Sequence, residues 1–143
     1  MKYLLFFVVV FAACAYIKPA GTDKKIMTDI KELEKRSEIK FKENCQVLFQ
    51  EDNLGGKQEA QSWIIFSKEA VSLPKGKSDF IEETDAPKYL ADFQRLVPNH
   101  SFGELKSQKS TTGFWETKDG NWQATVISTN NGYYLTLEWV KQN

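Results

Sequence analysis

The stretch that decides the fold is 113–140, which reads GFWETKDGNWQATVISTNNGYYLTLEWV. Apolar and polar residues alternate in three segments, 113–117, 122–128 and 133–140, which are separated by Lys118-Asp119-Gly120 and Asn130-Asn131-Gly132. Asp-Gly and Asn-Gly between alternating segments are strong hairpin signals, because these residues tolerate the backbone angles of tight turns. The stretch therefore predicts an antiparallel meander of three strands.

The last segment also predicts which side chains share a face. Because side chains alternate across a strand, Tyr133, Leu135, Leu137 and Trp139 should lie on one face. The other face should hold Tyr134, Thr136, Glu138 and Val140. We expect a half-buried meander with one face on the core.

Upstream segments predict two helices and two or three strands. Ile26, Ile30 and Leu33 recur at helical spacing, so a helix is predicted from Asp23 to about Ser37. The other predicted elements are strands at 45–50 and 62–67 joined by a Gly-rich turn, a short strand at 70–73, and a helix that starts at Thr84 or Asp85, contains Pro87 and ends at Pro98. Residues 99–112 read as a polar surface loop.

This order predicts an α+β fold, in which an antiparallel sheet of about five to six strands carries two helices packed on one face. The predicted organisation is a signal segment at 1–17, a tether at 18–22 that contains Pro19 and Gly21, and a single domain at 23–143. A chain of this size is long enough for one hydrophobic core.

The first seventeen residues predict export. Lys2 precedes fifteen uncharged residues that contain Phe11-Ala12-Ala13-Cys14. Two small residues directly before a cysteine resemble a bacterial lipoprotein signal, and that resemblance implies that Cys14 receives lipid and becomes the mature N-terminus. The protein would then contact the membrane through lipidated Cys14.

Two other outcomes remain open for the same segment. Ala13-Cys14-Ala15 also fits the A-x-A rule of ordinary secretory cleavage, which would discard Cys14 and release a protein that starts at Tyr16. An uncleaved leader could instead anchor the chain, although fifteen apolar residues fall short of the about 20 that a spanning helix needs.

Charge and cysteine content narrow the class of protein. The full chain has no net charge, and removal of Lys2 leaves 18 basic and 19 acidic side chains, a net charge of −1. The two signs are interspersed, which argues against a nucleic-acid partner. Cys14 and Cys45 are the only cysteines, so lipidation or loss of Cys14 leaves no intramolecular disulfide. That content suits a bacterial envelope protein.

Few residues of the sequence are candidates for catalysis or metal binding. His100 is the only histidine and is predicted to be a water-exposed loop residue. Cys45 is expected to be a buried, inert thiol. The acidic runs Glu82-Glu83-Asp85 and Glu51-Asp52-Asn53 do not match a calcium loop, and zinc would need more Cys or His ligands. We therefore predict no catalytic residue, no metal and no cofactor.

Aromatic residues supply the candidate contact residues. Trp63 and Trp139 are predicted to lie on buried faces, whereas Trp115 and Trp122 flank one hairpin and could pair across it. If Trp115, Trp122 or Tyr134 were exposed as a patch, they would be the first candidates for binding, together with His100.

The leading hypothesis is a small exported cell-envelope protein, lipid-anchored and non-catalytic, that binds a protein or small molecule of unknown identity. Export and a compact domain are indicated, and no catalytic motif is. One alternative is a small envelope hydrolase that uses His100 with a carboxylate. Another is a carrier of an apolar ligand held between helices and sheet.

Overall fold

The computed structural model describes residues 28–74 and 79–142. The predicted signal segment, with Cys14, and the tether lie outside these residues. One antiparallel sheet has the strand order β1-β2-β6-β5-β4-β3. The elements are α1 (Ile30–Ser37), β1 (Gln46–Asn53), β2 (Ala60–Ser67), β3 (Asp79–Glu83), α2 (Ala86–Leu96), β4 (Ser110–Thr117), β5 (Gly120–Thr129) and β6 (Gly132–Val140).

The predicted fold class is wrong, because the described chain is mostly β and its two short helices lie on opposite faces of the sheet. Leu33 of α1 packs in a cluster with Trp63, whereas Phe93 of α2 packs in a second cluster with Ile64. Trp63 and Ile64 are successive residues of β2 and point to opposite faces. A sheet that is apolar on both faces needs cover on both. We name the two sides the α1 face and the α2 face.

Helix boundaries follow from local capping. α1 begins at Ile30, later than predicted, because Asp29 is extended and its side chain accepts a hydrogen bond from Lys31 N (3.2 Å). α2 begins at Ala86 with Pro87 in its first turn, but the carboxylate of Asp85 binds Ser110 Oγ instead of capping the helix. Neither helix in the described ranges combines the length and apolarity needed to cross a bilayer.

Both predicted hairpins of the meander are confirmed. Thr117 pairs with Gly120 and Thr129 with Gly132, so each connection is two residues long. The glycines begin the following strands with φ of +150° and +147°. A Cβ at Gly120 would lie 2.4 Å from the carbonyl oxygen of Val140, and one at Gly132 would lie 2.7 Å from that of Ser67. Glycine is therefore required by close backbone approach as well as by backbone angle.

The sheet edge beside β4 was predicted wrongly. In place of a strand at 70–73 there is one bridge between Ser72 and Lys40, and the edge strand is β3. β4 begins at Ser110, inside the predicted loop, because β3 pairs with it from Glu83–Ser110 to Asp79–Phe114.

The expectation of a half-buried last strand is also wrong. β6 lies at the centre of the sheet between β2 and β5, and Tyr134 to Val140 are buried without a break. The predicted alternation of faces holds, since Leu135 and Leu137 belong to the α1-face cluster and Tyr134 to the α2-face cluster. Polar residues of this strand are therefore interior residues.

Candidate functional site

His100 lies in the loop after α2, as predicted, but it is half-buried and packed among aromatic rings, so the expectation of a water-exposed side chain is wrong. Its Nε2 lies 2.8 Å from the hydroxyl oxygen of Tyr134, and its ring meets Phe102 edge-on with 4.8 Å between centroids. Phe66 lies on another side at 5.9 Å. Within the described residues no carboxylate binds His100, so the pairing that a His-based hydrolase needs is not formed there.

The aromatic residues that the sequence suggested for binding form no exposed patch. Trp115, Trp122 and Tyr134 are 5%, 2% and 0% exposed. Trp115 and Trp122 do pair across the hairpin as predicted, with nearly parallel rings 6.4 Å apart. Trp63 stacks on Trp122 at 6.0 Å, so these rings are core packing.

Arg36 packs at the edge of the α1 face, against three tryptophan rings. Its guanidinium carbon lies 5.6, 5.5 and 4.8 Å from the ring centroids of Trp63, Trp122 and Trp139. Its Nε donates to Asp119 (2.8 Å) and one Nη to Gln61 (2.9 Å). Because the charge is paired and stacked, Arg36 stabilises the core edge and offers no unpaired cation.

The other candidate residues are accounted for by structural contacts. Cys45 is a half-buried free thiol that packs against the α1-face cluster. Glu82 forms an ion pair with Lys109 (3.1 Å), and Asp85 binds Ser110. Across 28–74 and 79–142, no three His, Cys, Asp or Glu residues are grouped so as to hold a metal ion.

Two of the exposed large hydrophobic residues lie on the edge strand β3. Phe80 and Ile81 are 51% and 44% exposed. Phe80 also covers Gly113, where a Cβ would lie 3.3 Å from its ring. The strand carries acidic residues beside them, Asp79, Glu82 and Glu83. Charged side chains on an edge disfavour pairing with another strand, so we assign no binding role to this edge.

Polar side chains instead gather inside the α2 face. The residues Ser62, Glu138, Gln123 and Phe114 are direct neighbours across β2, β6, β5 and β4. The next row on this face holds Ile64, Thr136, Thr125 and Thr112. Directly opposed side chains of an antiparallel pair have Cβ atoms about 4.5–5.5 Å apart. Glu138 and Gln123 are therefore close neighbours, and Thr136 is the next residue of β6 on the same face. We name these three residues the Glu138 cluster.

The Glu138 cluster contains buried oxygens without hydrogen-bond partners. The atoms are Oε1 and Oε2 of Glu138, Oε1 of Gln123 and Oγ1 of Thr136. The remaining such atom among the described residues, Nε1 of Trp63, belongs to the α1 face. An unpartnered buried polar group costs about 1–3 kcal/mol, so most proteins keep few of them and rarely together.

Burial governs the protonation of this face. Desolvation raises the pKa of Glu138 well above its ordinary range. It also raises the pKa of Tyr89, which lies over the face on α2, to about 12, while a hydrogen bond with Thr125 acts in the opposite direction. In both groups burial therefore favours the protonated form. With its proton held, Glu138 can donate as well as accept hydrogen bonds.

Sequence reasoning missed the Glu138 cluster. It placed Glu138 and Thr136 correctly on one face with Tyr134, but took that face to be solvated. A usable signal was present, because Glu138 stands between Leu137 and Trp139 in a strand that follows a strong hairpin signal, Asn130-Asn131-Gly132. A carboxylate in a central strand is seldom placed there for stability.

Comparisons with protein-family models, with curated proteins and with solved structures found no match to this chain.

Proposed function

We propose that this protein is a non-catalytic binding domain of the bacterial cell envelope, exported and lipid-anchored through Cys14, and that the Glu138 cluster is its binding site for a small polar ligand. The single observation that carries the binding role is the set of four unpartnered oxygens on one buried face. A ligand that hydrogen-bonds to them would recover part of the cost of burying them.

Three features favour this role over the alternatives. His100 Nε2 lies 2.8 Å from the Tyr134 hydroxyl oxygen and its ring packs on Phe102, which supports a packing role for this residue. Burial raises the pKa values of Glu138 and Tyr89 and so favours their protonated forms, which can donate as well as accept hydrogen bonds. The unpartnered interior groups of the α2 face are polar, which favours a polar ligand over the apolar cargo of a carrier.

Binding is tested by thermal unfolding of the full chain against small amines, alcohols, amides and carboxylates. At least one of these classes should raise the Tm of the wild-type protein, on the order of 10 °C at about 100 times Kd. The same compounds should leave Glu138→Leu unchanged, because leucine fills the site without any polar atom.

The matched control is Glu116→Gln, at an exposed position of β4, which should respond as the wild-type protein does. Glu138→Leu should itself fold, since an apolar side chain of similar volume is tolerated at a buried polar position. If none of the four compound classes stabilises the wild-type protein, or if Glu138→Leu responds equally, the proposed binding site is wrong.

The lipid anchor is tested by metabolic labelling with a palmitate analogue in a bacterial host. The wild-type protein and Cys45→Ser should take up the label and sediment with membranes, because Cys14 is the only proposed acceptor. Cys14→Ser should remain unlabelled. Label on Cys14→Ser would contradict the lipoprotein proposal, as would an unlabelled wild-type protein that begins at Tyr16.

A further inference from the structure

All the atoms of the Glu138 cluster that lack a hydrogen-bond partner are oxygens. Glu138 contributes two of them, and Gln123 and Thr136 contribute one each. Carboxylate and amide oxygens are acceptors, and a threonine hydroxyl can accept as well as donate. When Glu138 is ionised, a complementary ligand must therefore present several hydrogen-bond donors to these oxygens.

The charge of Glu138 further narrows the class of ligand. Among the described residues Glu138 has no ion-pair partner, and burial favours the neutral form of its carboxyl. A cation brought to this position would interact with the ionised carboxylate at low effective dielectric, where attraction between opposite charges is strong. A positively charged ligand could therefore offset part of the free-energy cost of burying the ionised carboxylate, which a neutral ligand could not do.

The number and kind of ligating groups favour an ammonium group over a metal ion. One carboxylate is present, whereas calcium prefers six to eight oxygens that include several carboxylates. No cluster of metal-ligating side chains exists in the described ranges. An alkylammonium group has three N–H donors, one for each side chain of the Glu138 cluster.

Neighbouring side chains suit the remainder of such a ligand. Phe114 is the direct cross-strand neighbour of Gln123, and Ile64 is that of Thr136. Both are buried. The face of an aromatic ring attracts an ammonium group, and aliphatic surface packs against an alkyl chain.

We infer that the Glu138 cluster binds the ammonium group of a small primary amine. This inference rests on the proposed binding function and adds the ligand class. On binding, Glu138 gives up its carboxyl proton to the solvent, and the resulting carboxylate accepts N–H bonds from the ammonium group. No covalent bond forms between protein and ligand.

The probe is n-butylammonium chloride, compared at equal ionic strength with n-butanol, sodium butyrate and potassium chloride. Titration calorimetry of the full chain at pH 7 should detect binding of the amine alone. Repeating it in two buffers of different ionisation enthalpy, neither a primary amine, should give release of about one proton per bound amine.

Glu138→Gln keeps the size and hydrogen bonding of the side chain but cannot ionise. It should weaken amine binding by at least about tenfold and abolish proton release. Glu116→Gln should bind as the wild-type protein does. A circular dichroism spectrum that matches the wild type would establish that Glu138→Gln is folded.

Failure of this inference is distinct from failure of the proposed function. If amines bind no better than potassium ions, or bind Glu138→Gln equally well, the ammonium assignment is overturned. If butanol or another neutral compound binds the wild-type protein and Glu138→Gln but not Glu138→Leu, the ligand is uncharged and the binding site stands. If no probe depends on residue 138, both proposals fail.

Discussion

Replacing Trp122 by alanine is expected to lower the free energy of unfolding by about 3–5 kcal/mol, the range for large aromatic side chains removed from cores. The ring lies between those of Trp63 and Trp115, at 6.0 and 6.4 Å, and Arg36 stacks against it. Its Nε1 also donates to Thr117 (2.9 Å). The substitution therefore opens a cavity and also removes a contact of Thr117 and of Arg36.

Urea unfolding followed by circular dichroism measures this loss. Trp122→Phe should cost clearly less, because it retains a ring in the stack and loses only the Nε1 hydrogen bond and some volume. Leu54→Ala, at a side chain that is 55% exposed, should change stability by no more than about 0.5 kcal/mol. Equal effects of Trp122→Ala and Leu54→Ala would show that the stack does not hold this face together.

Glu138 is expected to make the protein less stable as the pH rises. Its pKa is raised in the folded state, so the native protein keeps a proton that the unfolded chain has already lost. Its contribution is fully present below the unfolded-state pKa and is lost as the pH rises through the folded-state pKa. Across that window the free energy of unfolding should fall by up to about 1.4 kcal/mol per pH unit.

The measurement is urea unfolding of the wild-type protein and Glu138→Gln between pH 4 and pH 9. Glutamine carries no titrating proton, so Glu138→Gln should gain stability relative to the wild-type protein as the pH rises from the acid end of this range. Glu116→Gln should follow the wild-type curve. A constant difference between wild type and Glu138→Gln over the whole range would mean that Glu138 does not titrate on unfolding.

The elements that the sequence predicted well depend on local chemistry. The two-residue hairpins follow from Asp119-Gly120 and Asn131-Gly132, and α2 follows from its Pro87 start and apolar stripe. The pairing of Trp115 with Trp122 follows from the register of the first hairpin. Each of these features is determined by residues close together in the chain.

The elements that were missed depend on contacts between distant segments. The residues around Leu33 and Phe93 do not indicate that the two helices pack on opposite faces of the sheet, because the apolar stripe of each helix could pack on either face. β3 is an exposed strand of five residues whose acidic composition resembles a helix start. The burial of Glu138 depends on the central position of β6, which only the strand order reveals.

The strand order has a consequence for biogenesis. The sixth strand along the chain fills the middle of the sheet, where it joins the β1-β2 hairpin to the β3-β4-β5 unit. Until this strand has been synthesised, the two halves expose facing apolar edges with no partner, and a stop codon before Gly132 would leave an aggregation-prone product. Productive folding therefore waits for β6, and this delay would suit the export proposed above, which requires an unfolded chain.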